Sequence, residues 1–167
     1  MPNWCTNDLT LSNDDTAKVD ALEELLKKLD SDEKPENGVL QYLVPMPKEE
    51  EENWYDWHVN HWGTKWDIYP QQWSREGNTI WMIFDSAWSP PLVAYETLTQ
   101  QGWEVDALYE ECGMGFVGRF SEGEDEFYEY DFDDEDWRDE IPEDLIEFAG
   151  LDYNYDSWKE SREENGE

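Results

Sequence analysis

The chain has 167 residues, with 44 Asp and Glu against 11 Lys and Arg, a formal net charge of −33. Such a protein is repelled by phosphate surfaces and anionic membranes, so its composition points to a basic surface as partner and away from direct nucleic-acid binding. Its mean hydropathy of −0.98 does not imply disorder, because eleven Trp, nine Tyr and six Phe provide large buried areas for a core.

Taken in chain order, residues 4–11 alternate, with Cys5, Leu9 and Leu11 on one side, and read as a first strand. Asp14 or Asp15 can cap a following helix whose Val19, Leu22, Leu25, Leu26 and Leu29 form an apolar stripe that needs a sheet to lie on. After a polar turn with Pro35 and Asn37-Gly38, residues 39–44 read as a second strand ended by Pro45 and Pro47. The charged run 49–52 is a solvated loop, leading into a long aromatic connection at 54–73. Residues 79–84 are β-branched and aromatic without strict alternation, as in a strand covered on both faces, and are placed at the centre of the sheet.

Ser89 as N-cap, Pro90 at the first helical position and Gly102 just past the end predict a helix through Gln101. Residues 103–110 alternate again, with Trp103, Val105, Ala107 and Tyr109 opposite Glu104, Asp106 and Glu110. Strands at 115–120 and 127–132 then close the sheet as a meander. Pro142 and Gly150 bracket a short docked helix, and 159–167 read as a frayed tail. The pattern gives an α+β class, a ferredoxin-like split βαβ sandwich with extra antiparallel strands and a short C-terminal helix. Residues 1–133 form that domain and 134–167 an acidic extension. Helices would cover one sheet face and leave the other open, carrying rows of carboxylates at Glu104/Asp106 and Glu129/Asp131/Asp133 spaced about 6.6 Å apart.

Three blocks carry a resemblance: Asn3-Trp4-Cys5 in the opening segment Met1-Pro2-Asn3-Trp4-Cys5-Thr6-Asn7, then Trp62-Gly63-Thr64-Lys65-Trp66-Asp67, then Ala87-Trp88-Ser89-Pro90-Pro91. In this order, across residues 1–91, they resemble the YubB-like family of phage and plasmid proteins. The resemblance implies a ferredoxin-like fold and a mobile-element origin, with no settled biochemical role. His61 stands where the family pattern would have Asn, and the acidic tract 122–147, in which Arg138 is the only basic residue, is heavier than the family's.

The charge has a size that can be compared with DNA: 33 charges match roughly 56 Å of duplex, on a body whose radius of gyration is near 15 Å. Glu104, Asp106, Glu110, Glu124, Asp125, Glu126, Glu129, Asp131, Asp133, Asp134, Glu135 and Asp136 are the candidate partner-binding acids, with Tyr128, Tyr130 and Trp137 as aromatic anchors. They suggest an anti-defence inhibitor, of anti-CRISPR or anti-restriction type, that mimics DNA against the basic surface of a host nuclease or effector complex. The bland alternative is charge that serves solubility. A second candidate is a pocket of His61, Trp62, Lys65, Trp66, Asp67 and Trp88, stacking on a small planar or nucleotide ligand. The structural alternative is that the indoles pack beneath the loop, Gly63 makes the turn and Lys65 pairs with Asp67 or a sheet carboxylate.

Metal and catalytic patterns are weak. His58, His61 and Asp56 would share a face only in a helix and lack a second ligand cluster. An EF-hand starting at Asp131 would need Gly and Glu where Asp136 and Pro142 stand. No nucleophile elbow or phosphate loop is present, and no cofactor or enzymatic activity is expected. Cys5 and Cys112 read as reduced structural thiols. No leader pattern opens the chain and no apolar run approaches the roughly 20 residues that span a bilayer, which points to the cytoplasm of a bacterial host cell.

Overall fold

The computed structural model describes residues 3–166. Met1 and Pro2 of the opening block and Glu167 of the tail lie outside the described residues. Strand β1 (Trp4–Ser12) alternates as its sequence dictates, burying Cys5, Asn7, Leu9 and Leu11. Helix α1 (Thr16–Asp30) starts where the Asp15 carboxylate accepts the Ala17 N–H at 3.1 Å, and it buries Val19, Leu22, Leu26 and Leu29.

The run 39–44, read from the sequence as a strand, is instead the short helix α2 (Val39–Leu43). Asp67 is the cause. Its carboxylate accepts the N–H groups of Gly38 at 2.7 Å, Leu40 at 2.8 Å and Gln41 at 3.4 Å, an N-cap delivered from another part of the chain. The long connection that follows is also structured, as a 3₁₀ turn (Lys48–Asn53) and helix α3 (Trp54–His61).

The sheet has six strands in the order β2-β3-β1-β4-β5-β6, and every neighbouring pair is antiparallel. Strand β2 (Gln72–Glu76) is polar and half-exposed, so it gave little sequence signal, yet it pairs with β3 (Thr79–Ala87) across a turn at Gly77. β3 is therefore second from the edge rather than central, and β1 and β4 (Glu104–Glu111) take the middle. Accordingly, β3 buries one face fully and its other face only in part.

Helix α4 (Leu92–Gln100) is closed by Gly102 at φ 96, as its sequence suggests. Its start differs. Pro91 occupies the cap position, and the Ser89 hydroxyl donates to Gly63 O at 2.7 Å, tying the helix entrance to the aromatic loop. After β5 (Phe116–Ser121), Glu122 and Gly123 adopt φ values of 54 and 80 in a two-residue hairpin turn, which sets β6 at Glu124–Glu129 rather than 127–132.

One sheet face carries Leu9, Leu11, Ile80, Met82, Phe84, Val105, Ala107 and Phe120 against α1, α2 and α4. The opposite face is not wholly open. Helix α5 (Glu143–Ala149) lays Leu145, Ile146 and Ala149 beside Val117 and Leu108, together with Trp137, Ile141 and Leu151. Gly150, at φ 63, turns the chain into α6 (Leu151–Glu164), so most of the expected frayed tail is helical. Among the described residues, no helix is long and apolar enough to cross a membrane.

Candidate functional site

Acids are displayed along the β4–β6 side of the sheet. Glu104 and Asp106 are exposed on β4, and Asp106 accepts the Ser121 hydroxyl at 2.6 Å. Ser121 in turn pairs with Glu124, so Asp106 and Glu124 flank it in one cross-strand row. In the next row Glu126 opposes Arg119, whose guanidinium bonds Asp144 at 2.7 Å and approaches Glu126 at 3.6 Å. Glu110 is half-buried with Oε2 unbonded, and burial together with Glu111 and Asp85 pushes its pKa up.

Asp125 and Glu129 alternate to the other face of β6, opposite Phe120 and Phe116 of β5. Asp125 accepts the Tyr109 hydroxyl at 2.5 Å, and local desolvation raises its pKa. Gly118 makes that contact available, because a Cβ there would stand 2.3 Å from the Tyr109 ring. Beyond Glu129 the expected strand row does not form. Asp131, Asp133, Asp134, Glu135 and Asp136 are exposed in successive turns, where Asp131 and Asp134 each accept a backbone N–H two residues on at 3.0 Å. A cavity of about 680 Å³ lies between β6 and these turns, lined by Glu129, Asp131, Asp134, Asp136, Asp139 and Glu140 beside aromatic rings.

The proposed aromatic anchors are already engaged within the protein. Trp137 is buried, Tyr128 and Tyr130 are half-buried, and Phe132 joins Tyr130, Trp137 and Tyr155 at ring separations of 5.1 to 5.5 Å. They hold α6 against the sheet, because an exposed aromatic cluster of this size is more stable packed than hydrated. Arg162 pairs with Asp133 and lies over Trp158, fastening the same helix.

At the other edge, the loop after α3 divides its residues between core and surface. Trp62 is buried and donates its indole N–H to Val44 O at 2.8 Å, and His58 stacks on it with centroids 3.9 Å apart. Trp62 therefore belongs to the core and not to a pocket. His61 stacks on Trp57 at 4.2 Å with Nδ1 on Trp57 O. Asp67 is held by backbone amides, and burial, partly offset by those amides, raises its pKa. Thr64, buried, donates to Ala87 O.

Trp66 remains at the surface, with Lys65 Nζ 4.8 Å from its ring centroid, and Trp4 lies 5.9 Å from it at 41°. Trp88 is 49% exposed at φ 69, a left-handed conformation that strains a bulky residue. A second cavity, about 360 Å³, is lined by Trp4, Trp66, Asp67, Tyr69, Gln71 and Asp85. Of the six pocket residues read from the sequence, only Trp66 and Asp67 line it. Trp4 could have been found, since it alternates outward from buried Cys5; Tyr69 and Asp85 carried no such signal.

Among the described residues, no group of three His, Cys, Asp or Glu could hold a metal ion. Both cysteines are free; Cys5 is buried, whereas Cys112 is exposed in a turn and so is not a packing residue. No family model and no curated protein matches the sequence. Among solved structures, the chain is similar to the api92 protein of Yersinia pseudotuberculosis, of family DUF1281. The TM-score is 0.53 at 11% identity, with 78% of this chain and 99% of that chain covered. At this identity the likeness shows an α+β fold and nothing further.

Proposed function

We propose that this protein is an acidic anti-defence inhibitor of phage or plasmid origin, which occupies the basic nucleic-acid-binding surface of a host nuclease or effector complex. The observation that carries the reading is the concentration of acids along one edge, Glu124, Asp125, Glu126 and Glu129 of β6 on its two faces and the exposed Asp131, Asp133, Asp134, Glu135 and Asp136 just beyond, interspersed with Phe127, Tyr128, Tyr130 and Phe132. Like charges held this close repel one another, and a groove of Arg and Lys that normally holds phosphates would relieve that repulsion through charge-assisted hydrogen bonds. The resemblance of the Asn3–Cys5, Trp62–Asp67 and Ala87–Pro91 blocks to YubB-like proteins supports the mobile-element origin. The strand order β2-β3-β1-β4, with α1 and α4 as crossovers, supports a ferredoxin-like core carrying this edge.

The test is phage plating on a host carrying a restriction or CRISPR system. Expression of the protein should raise plating of a targeted phage. Replacing Glu124, Glu126, Glu129, Asp131 and Asp134 with Lys should lower that protection at least about tenfold. Protection that survives the reversal overturns the reading. A second reading, capture of a small planar ligand, is favoured by the exposed Trp66 and Trp88. It predicts the opposite pattern, with loss in Trp66→Ala and Trp88→Ala and none on charge reversal.

A further inference from the structure

The cavity between Trp4 and Trp66 lies on the β1–β3 side of the sheet, away from the acidic β6 edge, and its lining combines features not explained by folding. Trp4 is 49% and Tyr69 51% exposed, and Trp66 is exposed beside them, so three large aromatic surfaces remain in water within one concavity. Surface aromatics gathered in this way mark binding sites. The two indoles stand 5.9 Å apart at 41°, an open wedge rather than a mutual stack. Trp66 already attracts a cation, since Lys65 Nζ lies 4.8 Å from its centroid.

Asp85 supplies the polar end. Its Oδ1 accepts the Thr6 hydroxyl at 3.2 Å and its Oδ2 accepts Gln71 Nε2 at 2.8 Å. A carboxylate offers about four acceptor positions, so each oxygen keeps one open, the arrangement that a forked donor satisfies with two parallel bonds. Thr6 and Gln71 also fix the orientation of the group. Asp67 adds negative charge at the same cavity while its oxygens stay committed to backbone amides.

We infer that the Trp4–Trp66–Tyr69 wedge with Asp85 is a binding site for an arginine side chain presented by a polypeptide partner. A guanidinium is planar and weakly hydrated, stacks on indole faces and presents the fork that Asp85 is set to receive. A lysine ammonium lacks both the plane and the fork, and a neutral planar ring brings no charge to pair with Asp85. The site stands on its own geometry and does not depend on what the β6 edge binds.

Titration of isotope-labelled protein with Nα-acetyl-arginine amide, at about 0.15 M salt to screen general attraction to the acidic surface, tests it. The Trp4 and Trp66 indole N–H signals should shift saturably. The neutral isostere Nα-acetyl-citrulline amide should not move them, and Nα-acetyl-lysine amide should bind more weakly. Asp85→Asn, which preserves shape, and Trp66→Ala should each weaken arginine binding about tenfold with the remaining amide spectrum unchanged. Equal responses to arginine and citrulline, equal responses to arginine and lysine, or shifts that persist undiminished in Trp66→Ala would each overturn the assignment.

Discussion

Asp67 holds the backbone N–H groups of Gly38, Leu40, Gln41 and Ile68 on one carboxylate, and thereby ties the start of α2 to the loop that follows α3. Replacing it with Ala should leave those amides without their acceptor and cost about 2 kcal/mol, the upper range for loss of a helix cap. Urea unfolding of Asp67→Ala measures this; an unchanged midpoint would contradict the capping role. The same residue explains why the sequence misled at 39–44. Val39, Leu40, Leu43 and Val44 satisfy a strand pattern locally, and the capping group that selects a helix lies some thirty positions downstream. Trp137 makes the converse point, since an aromatic residue inside an acidic run reads as a surface anchor until the rings that bury it are located in space. Trp4, by contrast, was legible as outward-facing from alternation alone.

At the scale of elements, the acidic extension is fastened by α5, whose Leu145 and Ile146 are buried beside Val117 of the sheet. Leu145→Ala should therefore cost about 3 kcal/mol of stability and open a cavity under the helix, read as a lower urea midpoint and faster amide exchange in α5 and α6. A change below about 0.5 kcal/mol, as for a surface position, would mean that α5 does not dock. The long periodic elements were readable: β1, α1 and β4 follow their apolar spacing, and α4 follows its spacing and its Gly102 end signal but not the cap read at Ser89. Elements at the edges were harder. β2 has a polar sequence and forms only because β3 offers it a ladder, and β6 is set by the Glu122-Gly123 turn rather than by the aromatic run that follows it. The acids divided accordingly. Glu104, Asp106 and Glu124 occupy strand positions, whereas Asp131 and Asp133 stand in turns.

For the whole molecule, a net charge of −33 means that the folded state works against its own repulsion. Raising salt from low to moderate should therefore raise Tm. The pH dependence has a further origin, desolvation of particular carboxyls, and a definite sign. Asp67, Glu110 and Asp125 all have pKa values raised by burial, so the folded state holds their protons more tightly than the unfolded chain does. The stability this supplies is fully present below the ordinary carboxyl range and is lost as pH rises through the raised values. Tm at about pH 5 should thus exceed that at about pH 7.5 at constant ionic strength, and Glu110→Gln with Asp125→Asn should flatten the difference. A Tm that falls on acidification to pH 5 would show that these buried carboxyls do not set the pH dependence of stability.

The most direct test of the acidic edge as an inhibitory surface is affinity capture from a bacterial host lysate at low salt, followed by elution with duplex DNA or guide RNA and identification of what is released. A nuclease or effector complex should be retained by the protein, released by nucleic acid at constant ionic strength, and not retained when Glu124, Glu126, Glu129, Asp131 and Asp134 are replaced with Lys. Retention of the same protein by the lysine variant, or failure of nucleic acid to displace it, would rule out the acidic edge as the inhibitory surface.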